Sequence, residues 1–162
     1  MNLREKHAWT YGARSEIGSG KYVTKFVANS AVRNAVTDSA VVEFIKEIKK
    51  IRTEKVDAEV LKNVKAGYIG RFVMQVQKPQ AVARYALNIE TEQLPADFYE
   101  KYIQTINAVT PDDIQRVANK YFLLDNTRIV IVGKASEITP GLEKLKLPLF
   151  FFDKYGSPVE KP

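Results

Sequence analysis

The sequence predicts an α+β domain, with helices packed on one face of a mainly antiparallel sheet. Three observations carry this expectation. Two period-two segments near the N-terminus flank a glycine-rich turn. A long middle region then repeats its apolar residues every three or four positions, the spacing of a helix face. A nearly continuous apolar run, Arg128–Gly133, closes the pattern. Two strands, about five helices and one further strand make an α+β order rather than an alternating one.

Each element follows from its residues. Leu3–His7 reads as the last turn of a helix. Trp9–Ser15 and Tyr22–Asn29 read as strands around the hairpin signal Ile17-Gly18-Ser19-Gly20. Tyr22, Thr24, Phe26 and Ala28 share one face of the second. Thr37-Asp38 is a polar N-cap pair opening a helix whose stripe is Val41, Phe44, Ile45, Ile48 and Ile51. Asp57 caps the next, with Val56 and Leu61 placed as a staple. Gly67 and Gly70 inside that helix suggest a close helix–helix approach. Pro79 suits the first turn of the helix through Ala81–Ile89. Leu94-Pro95 opens another, with Tyr99, Tyr102, Ile103 and Ile106 on one face. Thr110-Pro111-Asp112-Asp113 is a strong helix start. Asp125-Asn126 is a turn, and Arg128–Gly133 reads as a central strand because it is apolar on both faces. Three strands are few for so many helices. That imbalance predicts an open sheet edge, prone to pairing with another chain or to homodimerisation.

Composition narrows the function. The chain has 162 residues, the size of one domain, and its 45% hydrophobic and 27% charged content is that of a globular protein. No apolar run approaches the ~18 residues that a membrane span requires. The Leu147–Phe152 cluster is short and broken by Pro148. Cysteine is absent, which excludes disulfides and thiolate chemistry. A zinc site draws mainly on His and Cys and needs three or four ligands, so one histidine, His7, with no cysteine is not expected to build one. The net charge of +6 is dispersed: Lys46, Lys49, Lys50 and Arg52 interleave with Glu43, Glu47 and Glu54. That pattern is a solvated helix face, so no nucleic-acid partner is expected. Gly18-Ser19-Gly20-Lys21 fails as a phosphate loop, because Ser15 and Tyr22 stand where glycine and Ser/Thr are required. His7 is expected to be an exposed helix-end residue. Tyr99, Tyr102 and Tyr121 at helical spacing are expected to be core rather than a base-stacking platform.

The most informative segment is Leu3-Arg4-Glu5-Lys6-His7-Ala8-Trp9-Thr10-Tyr11-Gly12. Arginine offers a rigid fork of donors and the tyrosine hydroxyl adds one more, so Arg4 and Tyr11 together suit a peptide carbonyl. Spacing alone favours a blander reading, a surface arginine and a half-buried core tyrosine. The segment, however, resembles the Leu-Arg-Glu-Lys…Tyr signature in the C-terminal half of insulinase/pitrilysin zinc peptidases. The resemblance continues through Ala31-Val32-Arg33 to Thr37, the helix at Asp57, Ile106–Ile114 and the strand Arg128–Gly133. It covers residues 3 to about 138 and is nearest to the bacterial members.

The resemblance implies a pitrilysin-like half-domain with its first strand and helix missing, occupying residues 1–138. Residues 139–162 would be a C-terminal extension or a linker to the rest of a parent chain. It implies that Arg4 and Tyr11 bind a peptide substrate beside the scissile bond. The family's H-x-x-E-H zinc motif is absent: Ala8-Trp9-Thr10-Tyr11 follows His7. The chain should therefore hold no catalytic residue and no cofactor, with zinc expected in the catalytic half-domain or subunit that partners it. The bacterial resemblance favours an exported protein. A structural module without substrate contact is the alternative expectation.

Overall fold

A computed structural model describes residues 2–18, 20 and 22–161. Ser19 and Lys21 of the glycine-rich turn lie outside the described residues. The fold is α+β, predominantly helical with small antiparallel sheets. It divides into two compact units, Met1–Ile48 with Leu124–Pro162, and Lys49–Leu123.

In the first unit the chain opens with one wide helical turn, Asn2–Lys6. Strands β1 (Ala13–Ile17) and β2 (Phe26–Ser30) follow as an antiparallel hairpin, Ala13 opposite Ser30 and Ile17 opposite Phe26. Both start later than the alternation predicts. The Thr10 hydroxyl donates to the Gly12 carbonyl and accepts from the Gly12 N–H, bending the chain at Tyr11. The Thr24 hydroxyl donates to the Gly18 and Gly20 carbonyls, so Tyr22–Lys25 stay in the loop. A Cβ on Gly20 would sit 2.2 Å from the Val23 carbonyl oxygen, so only glycine fits that turn.

Helix α1 (Thr37–Thr53) follows a 3-10 turn, Asn34–Val36. Thr37 is already helical and buried, its hydroxyl donating back to the Arg33 carbonyl, so Thr37-Asp38 is not the N-cap the sequence suggested. Val41 is buried with Ile138 and Leu142, and Ile45, Ile131, Leu145 and Leu149 pack around them. Ile138 and Leu142 belong to a helix that sequence reasoning did not find, Ala135–Glu143, and the residue-138 boundary expected from the sequence falls inside it. Its Ile-Thr-Pro-Gly core reads locally as a breaker. Gly141 lets it approach the start of α1: a Cβ there would meet the Asp38 carboxylate at 3.1 Å. The Asn34 side-chain amide donates to Glu137 at 2.8 Å, tying the same two elements.

The strand expected at Arg128–Gly133 is not formed. None of these residues makes a backbone hydrogen bond among the described residues. Burial still alternates as in a strand: Ile131 packs on the core, whereas Val130 and Val132 are 86% and 97% exposed. Beyond it, Phe151–Phe152 pairs with Pro158–Val159 around a turn in which the Asp153 carboxylate accepts from the Tyr155 and Ser157 N–H groups. Leu149 joins the core, while Phe150 and Phe152 face solvent.

The second unit is helical. Helix α2 (Ala58–Val76) is capped by Asp57, whose carboxylate accepts from Glu59 and Val60 N–H at 2.9 and 3.0 Å. Helices α3 (Pro79–Thr91) and α4 (Tyr102–Ala108) pack on α2 through stacked rings. Phe72 lies 4.5 Å from Tyr102 and 5.8 Å from Tyr85, and Tyr85 stacks on Tyr99 at 4.2 Å. Burial, with Tyr68 and Tyr85 close by, raises the pKa of the Tyr102 phenol. Tyr99 and Tyr102 are therefore half-buried in a ring cluster rather than core, and Tyr121 is 64% exposed. Leu94-Pro95 begins turns rather than a helix, because Gln93 adopts a left-handed conformation (φ 53°) and redirects the chain. The close approach expected at Gly67 and Gly70 does not occur. A Cβ on Gly70 would meet nothing within 4 Å, and one on Gly67 only Arg71 of the same helix.

Helix α5 (Pro111–Tyr121) starts with a full capping box. Asp113 accepts from the Thr110 hydroxyl and N–H at 2.7 and 3.0 Å, and from Arg116 at 3.0 Å. These bonds, the Thr110 hydroxyl foremost, lower the Asp113 pKa to about 2. Because the folded-state value lies below the unfolded one (~3.9), ionised Asp113 stabilises the fold. That contribution is complete above about pH 4 and is lost as pH falls towards 2. A carboxyl NMR titration should place its midpoint near 2, and Asp113→Asn should flatten this part of the acid-unfolding curve. A midpoint at the ordinary value would mean that the box does not persist in solution.

Candidate functional site: the Arg4–Tyr11 segment

The segment is anchored at both ends and exposed between them. Leu3 is buried (6% exposed) and holds the first turn. The turn closes at Ala8, a left-handed alanine with φ 51°. Its N–H donates to the Arg4 carbonyl at 3.2 Å, and the Trp9 N–H donates to the Leu3 carbonyl at 3.1 Å. At the far end Gly12 is tied down twice. Its carbonyl accepts from the Ser30 hydroxyl at 3.1 Å, linking it to β2, and also from the Thr10 hydroxyl at 2.9 Å.

Arg4 stands on the helical turn with its residue exposed, and Tyr11 stands on the bend before β1, 102% exposed. The half-buried core tyrosine that spacing alone favoured is thus not what the structure shows, and Tyr11 lies on a bend rather than on the strand. No hydrogen bond, ion pair or ring contact engages either side chain among the described residues. A guanidinium and a phenol are therefore both presented on a braced loop with their donors unspent. Such groups suit a carbonyl-rich ligand such as an extended peptide backbone.

His7 departs from its expected exposure. It is half-buried, stacked on Trp9 at 4.1 Å, with Nε2 4.0 Å from the Glu43 carboxylate on α1. The signal for this contact was present in the sequence as two aromatic rings flanking one small residue, but the pairing with Glu43 depends on where α1 lies.

A zinc ion finds no fit in this donor set. Among the described residues no three His, Asp or Glu side chains converge on one point. His7 has one carboxylate nearby, and that one also bonds Lys46 at 2.6 Å.

In the second unit a depression of about 770 Å³ lies between α2 and the α4–α5 connection. It is lined by Leu61, Lys62, Lys65, Ile69, Asn107 and Thr110 among others, and Lys65 donates to the Asn107 carbonyl at 2.9 Å. It holds amines and apolar surface but no carboxylate or imidazole, so it offers no acid–base pair. No helix of the described residues is long and apolar enough to cross a membrane.

No family model matches the sequence, and no curated protein matches it. Solved structures do match in fold. A peptidase M16 inactive domain from Pseudomonas fluorescens superposes with a TM-score of 0.64 at 19% identity, over 76% of this chain. A protease from Helicobacter pylori superposes with a TM-score of 0.61 at 18% identity, over 75% of this chain. The chain spans 29% of the length of each of these neighbours. Three quarters of this chain thus shares its fold with a part of a peptidase M16 inactive domain.

Proposed function

We propose that this chain serves peptide hydrolysis without performing it, as a substrate-binding, non-catalytic half-domain of a zinc-dependent peptidase. The observation that carries this reading is the fold shared with a peptidase M16 inactive domain. The exposed, unengaged donors of Arg4 and Tyr11 on a braced segment support it. In this reading Arg4 and Tyr11 grip the backbone of a peptide, and zinc and the hydrolytic residues are supplied by a catalytic half-domain or subunit. The test is peptide turnover and zinc content, measured on this chain alone and on the peptidase that contains it. An inert, metal-free chain beside an active zinc-loaded enzyme is expected. Zinc and turnover in the isolated chain would overturn the reading.

A second reading, an assembly module without substrate contact, has its own observation: the unpaired Arg128–Gly133 segment with Val130 and Val132 in solvent. Its natural occupant is the same segment of a second copy, paired antiparallel across a two-fold axis. Charge selects the register. An axis at Ile131 would set Arg128 against Lys134, whereas an axis at Val130 sets Arg128 against Val132 and avoids like charges. Sedimentation should then show a dimer that Val130→Lys converts to monomer, since two ammonium groups would meet at the axis. A wild-type monomer at high concentration removes this reading.

A further inference from the structure

We propose that His7 is a positioning residue that clamps the Arg4–Tyr11 segment onto helix α1 through Glu43. Its consequence for peptide binding rests on the role of Arg4 and Tyr11 proposed above; its geometry does not.

Ala8 adopts a conformation that alanine disfavours, with its Cβ crowded against the backbone. A strained residue persists where its surroundings hold it, and here two rings close across it. His7 and Trp9 stack at 4.1 Å with planes 19° apart, a meeting of residues i and i+2 that the left-handed turn at Ala8 makes possible. Arg4 lies just before this clasp and Tyr11 just after it, so the clasp sets where both donors point.

The clasp is tied to α1 by charge. His7 Nε2 stands 4.0 Å from Glu43 Oε2, and the Glu43 side chain is 13% exposed. Glu43 is the charged group in contact with His7; Lys46 and Glu47 follow it on α1, and Arg4, Glu5 and Lys6 precede His7 on its own turn. Lys46 holds the other Glu43 oxygen at 2.6 Å and fixes that carboxylate in place. At 4.0 Å a neutral imidazole gains little from Glu43. An imidazolium gains an ion pair in a half-buried site, and a cation–π contact with the Trp9 ring as well. The clamp is therefore tighter with His7 protonated than with it neutral. The alternative is that the stack is passive packing, indifferent to the charge on His7.

Trp9 is the one tryptophan in the chain, so its fluorescence reads the clasp directly. In this chain, His7→Gln should raise Trp9 emission, because a stacked imidazole ring quenches indole. Glu43→Gln, which leaves both rings in place, should raise it part of the way and make Trp9 more accessible to acrylamide, because the stack is then no longer tied to α1. In the whole peptidase, His7→Gln and Glu43→Gln should each raise KM more than they lower kcat, with zinc content unchanged. Emission unchanged in His7→Gln, or emission and acrylamide access unchanged in Glu43→Gln, overturns the clamp. The two proposals fail separately. If the fluorescence results hold while Arg4→Ala and Tyr11→Phe leave turnover intact, the clamp stands and the substrate role falls.

Discussion

Replacing Leu142 by alanine is expected to destabilise the fold by about 2–4 kcal/mol. Leu142 is 7% exposed and sits on a helix between Val41 of α1 and a fringe of Ile45, Ile131, Leu145 and Leu149. Truncation removes three carbon atoms from water-free contact and leaves a cavity. The neighbours cannot easily close it, because the helix and α1 are already packed so closely at Gly141 that an added Cβ would lie 3.1 Å from the Asp38 side chain. The cluster is small, with three buried members, so one truncation removes a large share of it. Urea unfolding followed by Trp9 emission measures the effect, since Trp9 lies in the same unit. Leu147→Ala, a nearby residue 42% exposed, is the control and should cost well under half as much. Equal effects would mean that Leu142 is not the buried member of the pair.

In the zinc peptidase proposed above, Arg4→Ala and Tyr11→Phe are each expected to lower kcat/KM by roughly 10- to 100-fold while zinc content stays unchanged. The direction follows from exposure. Neither side chain spends its donors on the fold, so their removal costs little stability and any loss must come from the ligand. Arg4→Lys should restore less than half of the lost activity, because an ammonium lacks the planar fork. Tyr11→Phe deletes one hydroxyl from a side chain that packs on nothing, so an effect there points to a hydrogen bond rather than to shape. Unchanged turnover in both variants would remove the assigned role.

The helices capped by short polar residues were legible because caps are local. Asp57 before α2, Pro79 opening α3, and Thr110 with Asp113 opening α5 act within four residues of where they stand. The hairpin was legible in type but not in register, because Thr10 and Thr24 spend their hydroxyls on loop backbone and shorten both strands. The helix at Ala135–Glu143 was not legible. Pro140 and Gly141 read as breakers locally, and only burial of Ile138 and Leu142 against Val41 overrides them.

The candidate site divides in the same way. Arg4 and Tyr11 were visible as residue types at a spacing, but Tyr11 stands on a bend rather than on the expected strand, and its full exposure depends on the turn at Thr10. His7 shows the limit most plainly. Its partner Glu43 is 36 residues away in the chain, and no local pattern links the two. By itself the sequence determined which residues start helices, which chemistries are excluded by one histidine and no cysteine, and which side chains carry donors. Tertiary structure alone decided that Arg128–Gly133 lacks a ladder, that a helix forms across Pro140, and that His7 meets Glu43. Each of those outcomes depends on groups distant in the chain competing for the same apolar surface, hydrogen bond or charge.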